Sequence, residues 1–253
     1  MMMRTMSGSL ILFGGLVSLA WAADPPPPPP QPTAEQAAAW SAAAEQLVAA
    51  AQKYRAAHED DRHSADVEIC GKAVQWVLRH REFPQAKSVA ATEAVLKIGQ
   101  ERLKELEADD KQWLNRAGMT TVYGYVSALD DSVQPFAVTL PADFDPQSRK
   151  RWPLHLVLHG RDGNLTEVSF IQRHEKAKPK EPLPVIQLDV FGRTNNAYRW
   201  AGEADVFEAL AATKRLFPLD DQRVTLWGFS MGGAGAWHLG LHHPDEWSSV
   251  GAG

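Results

Sequence analysis

The sequence predicts an α/β fold in which a small helical region precedes an open sheet that starts with an antiparallel hairpin and continues with parallel strands. Three observations carry this prediction. Apolar residues recur at helical spacing up to about residue 108, the period changes to two from about Met119, and from Pro153 short apolar runs alternate with helical patterns. Strands that alternate with helices form a largely parallel sheet covered on both faces.

The composition is that of an ordinary globular protein, with 253 residues, 44% hydrophobic residues and a formal net charge of −5. This slight acidity gives no reason to expect nucleic acid or an anionic membrane as a partner. The single cysteine, Cys70, excludes an intrachain disulfide and is predicted to be a buried small side chain in a helix. No Cys/His spacing indicates a metal, and we expect no cofactor.

Residues 1–22 are predicted to be a secretory signal peptide. Arg4 supplies the positive start, Leu10 to Leu19 is an apolar run, and Ala20-Trp21-Ala22 fits a small-x-small cleavage site. The run is shorter than the roughly 20 apolar residues of a membrane span. We therefore expect export to the periplasm or the medium, without stable membrane insertion after cleavage; an uncleaved anchor is the alternative.

Residues 23–33 hold six consecutive prolines, which predicts a stiff polyproline II linker.

Three helices are predicted next, at about 37–57, 66–80 and 88–107, and the first is preceded by a capping box of Thr33 and Gln36. A helical region of this size has a modest core, so we expect it to pack on the domain behind it. The predicted boundaries are 34–117 for the helical region and 118–253 for the α/β domain.

The α/β domain is predicted to open with a hairpin of strands at about 121–126 and 135–140. Apolar strands follow at 153–158, 184–190 and 223–227, with a helix at about 203–216 before the last of them.

The pattern Gly228-Phe229-Ser230-Met231-Gly232 lies between the last of these strands and a helical pattern, which is the context that a G-x-S-x-G nucleophile elbow requires. The sharp turn holds Ser230 in a strained backbone conformation, and side chains two residues away would collide with the neighbouring elements. The serine hydroxyl is thereby exposed at the end of the strand, beside the backbone N–H of Met231, where an oxyanion would develop. The alternative is a glycine-rich turn whose serine has no function.

From about Val122 to Gly253 the chain resembles the prolyl oligopeptidase-like branch of the α/β-hydrolases, which also contains esterases. The resemblance implies the first part of an α/β-hydrolase sheet, Ser230 as the nucleophile, and a serine hydrolase that acts as a peptidase or carboxylesterase on a small-molecule ester or a peptide. The segments that carry it are Ser132-Val133-Gln134-Pro135-Phe136, Leu158-His159-Gly160-Arg161, Phe191-Gly192-Arg193-Thr194-Asn195-Asn196, Gly202-Glu203-Ala204-Asp205-Val206 and Gly228-Phe229-Ser230-Met231-Gly232-Gly233.

The same resemblance implies that the loop after the first parallel strand supplies a second oxyanion donor, which is the N–H of Gly160 or Arg161 and acts together with that of Met231. His159 is expected to shape this loop by hydrogen bonding. It is not expected to be the general base, because the triad histidine comes last in the chain order Ser, Asp, His.

Residues 192–203 follow the end of a strand, where α/β sheets place their binding crevice. Asn195, Asn196, Tyr198 and Arg199 are therefore candidate substrate-binding residues. The alternative is that Arg199 and Glu203 form a structural ion pair that pins the loop.

No base for Ser230 is evident in the sequence. His238, His242 and His243 lie on or at the end of the elbow helix, whose axis leads away from the serine, and Asp245 and Glu246 follow directly. Because residues 249–253 read as the start of another strand, we expect a C-terminally truncated hydrolase whose triad Asp and His lie beyond residue 253, and which is inactive by itself. The alternative is a non-catalytic binding module with the same fold. Oligomeric state is not predicted.

Overall fold

The structure is a computed structural model that describes residues 28–58 and 60–253. The predicted signal peptide and residues 23–27 of the proline-rich linker lie outside the described residues. No helix in these ranges has the length and apolar character that crossing a membrane requires. The helices are α1 (Ala34–Ala57), α2 (Ser64–His80), α3 (Ser88–Glu107), α4 (Glu167–His174), α5 (Ala201–Leu216) and α6 (Met231–His242). The strands are β1 (Thr120–Val126), β2 (Val133–Thr139), β3 (Trp152–Leu158), β4 (Ile186–Val190), β5 (Leu219–Gly228) and β6 (Ser249–Ala252).

The six strands form one sheet in the order β1-β2-β4-β3-β5-β6. β1 and β2 form the predicted antiparallel hairpin, β2 is also antiparallel to β4, and the strands from β4 to β6 are parallel. The chain leaves β3 to one side for β4 and then crosses to the other side for β5. Ligands of open α/β sheets bind at the carboxyl ends of strands where the order reverses in this way. The predicted α/β class, with a hairpin before the parallel strands, is confirmed.

Each face of the sheet has its own apolar core. On one face, α1 to α4 pack with Val122, Val133 and Ala137 of the hairpin. On the other face, α5 and α6 pack with the central strands. The helical region therefore covers the hairpin side of the sheet, as expected from its modest core. Cys70 is fully buried in this first core, and burial raises the pKa of its thiol to about 12, which confirms the predicted packing role.

The buried carboxylate of Asp66 joins the helical region to the sheet. It accepts hydrogen bonds from the backbone N–H of Gly124 in β1 at 2.7 Å and from the indole of Trp113 at 3.0 Å. A Cβ atom on Gly124 would lie 2.3 Å from the carbonyl oxygen of Ala65, so only glycine permits this approach of α2 to β1. A carboxylate at the start of α2 is also favoured by the helix dipole.

A second buried charge, Glu175, lies after α4. Its oxygens accept from Arg102 and Arg116, each at 2.7 Å, and from the backbone N–H of Val122 at 3.0 Å. Burial alone would raise the pKa of Glu175, but Arg102, the Val122 N–H and Arg116 hold it below its ordinary value of 4.5. This network ties α3 to α4 and to β1.

The structure differs from the predicted elements in two places. Helix α4 was not expected, because its eight residues are too few for a clear period, although Thr166 and Ser169 form a capping box at its start. β5 begins at Leu219, four residues earlier than the apolar run indicates, because this first part of the strand is mostly exposed and polar. The capping box of Thr33 and Gln36, the other helices and the strand expected at 249–253 are confirmed.

Substitution of Glu175 by Gln should destabilise the protein by about 3–5 kcal/mol, because it leaves Arg102 buried without its counter-charge. Glu101→Gln is the matched control, since Glu101 and Lys97 form an exposed pair at 3.9 Å, and it should change the free energy of unfolding by less than about 1 kcal/mol. Urea denaturation measures both.

The carboxylate of Glu175 stabilises the fold above pH 4.5, and this contribution is lost as the pH falls through its lowered pKa. The deficit of Glu175→Gln should therefore shrink in acid, and a deficit independent of pH would contradict this account.

Candidate active site

Ser230 occupies a strained turn between β5 and α6, with φ of 57° and ψ of −118°. The glycines around it allow close backbone contacts. A Cβ on Gly228 would lie 2.1 Å from the carbonyl oxygen of Gly232, and a Cβ on Gly232 would lie 2.1 Å from that of Leu158 in β3. The predicted steric requirement for glycine on both sides of Ser230 is thus met, and the elbow is pressed against the end of β3.

The backbone of Ser230 is fixed, whereas its side chain is exposed. Its N–H donates to the carbonyl oxygen of Gly253 at 2.8 Å, and its carbonyl oxygen accepts from Ala234 at 3.0 Å. Within the part of the chain that the structure describes, the side-chain Oγ has no hydrogen-bond partner. A hydroxyl presented in this way can approach a substrate, but here it is not paired with a base.

Three backbone N–H groups, in the elbow and in the loop after β3, are candidate oxyanion donors. A Cβ on Gly160 would lie 3.6 Å from the Cβ of Ser230, so the loop after β3 is in contact with the elbow. Among residues 28–58 and 60–253, the N–H groups of Gly160, Arg161 and Met231 have no hydrogen-bond acceptor. Unpaired donors beside an exposed serine are what stabilisation of a tetrahedral intermediate requires.

His159 holds the loop in place. Its Nδ1 atom lies 2.8 Å from the carbonyl oxygen of Gly160, and its Nε2 atom lies 2.9 Å from that of Phe191 after β4. Because both ring nitrogens face backbone carbonyls, the imidazole is not aimed at Ser230. The expectation that His159 shapes the loop by hydrogen bonding is confirmed.

Two of the candidate binding residues brace the neighbouring loop. The side-chain oxygen of Asn195 accepts from the backbone N–H of Asp162 at 3.0 Å, and its amide nitrogen donates to the carbonyl of Asp162 at 2.9 Å. Asn196 donates to the carbonyl of Gly192 and accepts from the N–H of Tyr198, both at 2.9 Å. Substrate contact by either side chain stays a prediction. The sequence gives no sign that Asp162 is the partner of Asn195 or that Phe191 is the partner of His159. Each of these two partners is marked only by its position shortly after a strand.

Tyr198 lies beneath the site. Its side chain is fully buried, and its hydroxyl donates to the carbonyl oxygen of His159 at 3.2 Å. The ring contacts α6 so closely that a Cβ on Gly235 would lie 2.6 Å from it. Burial raises the pKa of the phenol, so it stays neutral and acts as a donor. Tyr198 therefore supports both the loop after β3 and helix α6, whereas the exposed Arg199 remains a candidate for substrate contact.

The alternative of an ion pair between Arg199 and Glu203 is wrong for the described residues. Glu203 accepts hydrogen bonds from His238 at 2.7 Å and from His243 at 2.8 Å. Burial would raise the pKa of Glu203, but the two histidines lower it below its ordinary value. The reason is geometric, because His238 of α6 and His243 directly after α6 both reach the first turn of α5.

The other titratable groups near the chain's last elements do not reach the serine. His242 bonds the carbonyl oxygen of His238 at 2.7 Å, and Asp245 and Glu246 are exposed in the turn after α6. In the described ranges, no group of three or more His, Cys, Asp or Glu side chains is placed to hold a metal ion.

A protein-family model matches the part of the chain that contains Ser230 and the loops around it. Residues 129–253, just under half of the chain, match the family model described as putative esterase. This segment contains Ser230 and the loops after β3 and β4, and the match supports an α/β-hydrolase-type esterase. The prolyl oligopeptidase branch stays a prediction. No curated protein matches the chain.

Several solved structures are similar over about half of the chain. A thermostable esterase is 19% identical over 51% of this chain and 39% of its own, with a TM-score of 0.38. A fluorophosphonate-binding serine hydrolase of Staphylococcus aureus is 20% identical over 52% of this chain and 55% of its own, with a TM-score of 0.38. A CE1 ferulic acid esterase of Anaeromyces mucronatus is 15% identical over 53% of this chain and 57% of its own, with a TM-score of 0.37. The chain spans well under two thirds of the lengths of these structures.

Gly232→Ala should destabilise the protein by about 1–3 kcal/mol or more, because the new methyl group meets the backbone oxygen of Leu158, which cannot move aside without shifting β3. Gly163→Ala is the matched control, since nothing lies within 4 Å of a Cβ there, and it should change stability by no more than about 0.5 kcal/mol. Thermal unfolding measures both variants. Equal melting temperatures for the two would show that the elbow is not pressed against β3.

Proposed function

We propose that this protein is an exported serine hydrolase that cleaves a carboxylic ester, with Ser230 as the nucleophile. The observation that supports it most is the exposed hydroxyl of Ser230 beside the unpaired N–H groups of Gly160, Arg161 and Met231. The putative esterase match over residues 129–253 favours an ester over a peptide bond as the substrate. Export rests on the sequence of residues 1–22.

In the proposed reaction, Oγ of Ser230 attacks the ester carbonyl and forms a tetrahedral intermediate. Its oxyanion is held by the N–H of Met231 together with that of Arg161 or Gly160. Collapse of the intermediate expels the alcohol and leaves an acyl group on Ser230, which water then removes through a second tetrahedral intermediate. The donors are backbone groups on fixed loops, so they need little rearrangement when charge develops.

The proton of Ser230 needs an acceptor, and Oγ has no hydrogen-bond partner within the described residues. We propose that a histidine base and the carboxylate that orients it lie outside residues 28–253, in agreement with the chain order Ser, Asp, His of this kind of site. The 253-residue chain should then turn over esters at close to the background rate, since an oxyanion hole without a base retains only a small part of catalysis.

A fluorophosphonate probe tests the nucleophile. The product of the complete open reading frame should be labelled, and Ser230→Ala should remove the label, because the probe phosphonylates an activated serine. Ser148→Ala, at an exposed turn serine, should be labelled like the wild type. A wild type that takes no label but binds ligands would favour a non-catalytic module, and a label that survives Ser230→Ala would move the nucleophile elsewhere.

The second oxyanion donor is tested by Arg161→Pro, which removes the backbone N–H, against Arg161→Ala, which keeps it. With an ester substrate, Arg161→Pro should lower kcat about 10²–10³-fold with little change in KM, whereas Arg161→Ala should keep kcat within a few-fold. Circular dichroism checks that both variants are folded. If folded Arg161→Pro keeps its kcat, the donor is Gly160.

A further inference from the structure

A cavity of about 240 Å³ lies on the outer side of β1, where the helical region meets the last turn of α5. This volume is slightly below the roughly 300–1,000 Å³ of pockets for drug-sized ligands, so the cavity suits an ion or a small molecule. Arginine side chains reach it from three different segments. They are Arg55 in α1, Arg62 between α1 and α2, and Arg215 in α5.

Hydrogen bonds hold two of these guanidinium groups at the cavity wall. Nε of Arg55 donates to Oγ of Ser64 at 3.0 Å, and its Nη2 group donates to the carboxylate of Glu68. Nη1 of Arg62 donates to the backbone carbonyl oxygen of Arg215 at 3.2 Å. Because a guanidinium has five N–H donors, most donors of both groups remain available to a ligand in the cavity.

Asp61 is the acidic side chain on the cavity wall, and the backbone of α2 already uses it. Its oxygens accept hydrogen bonds from the backbone N–H groups of His63 at 3.1 Å and of Ser64 at 2.9 Å. Burial would raise the pKa of Asp61, but the hydrogen bonds from Ser64 and His63 hold it below its ordinary value of 3.8. The carboxylate is therefore ionised and committed to the start of α2.

The cavity wall carries an excess of positive charge, since three guanidinium groups share it with this one carboxylate. Glu68, which is buried and lies off the wall, offsets part of the charge of Arg55. Among the described residues, neither Arg62 nor Arg215 pairs with a carboxylate. In a chain with a formal net charge of −5, this cluster is a local site that attracts anions.

Strand β1 adds a backbone donor to the wall. It is an edge strand, and alternate N–H groups along it point away from β2. Those of Val122 and Gly124 donate to the carboxylates of Glu175 and Asp66. The next N–H in this series belongs to Val126, which lines the cavity, is 42% exposed and has no acceptor for its N–H among the described residues. An anion at this end of the cavity can accept a hydrogen bond from it.

We propose that this cavity is a binding site for a phosphate group, either of inorganic phosphate or of a small phosphate ester. A phosphate monoester carries about two negative charges near neutral pH, which balance the excess charge of Arg62 and Arg215. Its terminal oxygens match the planar forks of guanidinium groups that come from three segments. A carboxylate has a single charge, so it would leave part of the positive charge uncompensated.

The proposed site is distinct from the Ser230 elbow. β1 and β5 are separated by four inter-strand spacings, which amount to about 20 Å. Phosphate binding therefore does not depend on the proposed ester hydrolysis. A phosphate held by Arg55, Arg62 and Arg215 ties the helical region to the end of α5, so the ligand stabilises the packing of the helical region on the α/β domain.

Binding is measured by isothermal titration of the complete protein with inorganic phosphate. Sodium chloride keeps the ionic strength constant, because salt screens exposed arginines. We expect saturable binding of one phosphate, which Arg62→Ala and Arg215→Ala should each weaken about tenfold or more. Both side chains are exposed, so the variants should fold. Arg62→Lys should restore only part of the binding, since it keeps the charge but loses the planar fork.

Arg149→Ala is the matched control for these variants. Arg149 is exposed before β3 and does not line the cavity, and its removal changes the net charge by the same amount. This variant should bind phosphate like the wild type. The site would be overturned by a wild type without saturable binding, or by unchanged binding in Arg62→Ala and Arg215→Ala. An equal loss of binding in Arg149→Ala would also overturn it, because the attraction would then come from the general charge of the surface.

Thermal unfolding tests the class of ligand. Phosphate stabilises many proteins because it is excluded from their surfaces, so the informative quantity is the difference between variants. Phosphate and glycerol 3-phosphate should raise the Tm of the wild type and of Arg149→Ala more than that of Arg62→Ala, and acetate at equal ionic strength should produce no such difference. An effect of phosphate without glycerol 3-phosphate would identify the free ion as the ligand. An equal rise in all three proteins, or a larger difference with acetate than with phosphate, would overturn the phosphate site.

Discussion

The candidate site depends on one contact between two pieces of backbone, the first turn of α6 at Gly232 and the carbonyl oxygen of Leu158 at the end of β3. No side chain fits between them. The contact brings the elbow against the loop that leaves β3, so Ser230 and Gly160 become neighbours. The positive φ of Ser230 follows, since the chain must reverse within one residue to enter α6 in that position. The position of Ser230 beside the loop after β3 is thus a consequence of packing two elements as closely as backbone allows.

A set of hydrogen bonds and packing contacts beneath Ser230 fixes the loop after β3 relative to the elbow. His159 bonds the carbonyl of Phe191 after β4, and Tyr198 bonds the carbonyl of His159 while its ring packs on α6. The loops that follow β3, β4 and β5 are thereby joined in one network. Positive φ values at Arg193, Thr194, Ala197, Tyr198 and Trp200 lie in the middle loop, and such backbone persists only where surrounding contacts hold it. The loops around Ser230 are thus held in fixed positions by one another.

The sequence predicts the parts of the fold that depend on local periodicity and local sterics. The hairpin, the helices other than α4, and the elbow all have a pattern that neighbouring residues determine. The contacts that join distant segments have no such pattern. Asp66 bonds Gly124 across 58 positions, and Glu203 bonds His238 across 35, and nothing near either carboxylate indicates its partner. For the same reason Asn195 and Asn196 read as binding residues in the sequence although their side chains brace loops. Local chemistry identifies polar groups that can bind a ligand, and only the fold decides whether the protein already uses them.

The helical region has more influence on the site than its position before the domain indicates. Helix α4 begins a few residues after the loop that follows β3, and its position is set by partners outside the sheet. Lys72 of α2 pairs with Glu167 at its start, and Arg102 of α3 pairs with Glu175 at its end. Between them, Arg173 of α4 bonds Asp162, which Asn195 also holds. The loop that supplies Gly160 and Arg161 is therefore anchored through α4 to helices α2 and α3. Removal of the helical region would expose an apolar face of the sheet and would also remove the contacts that anchor α4, so we regard the helices and the sheet as one structural unit.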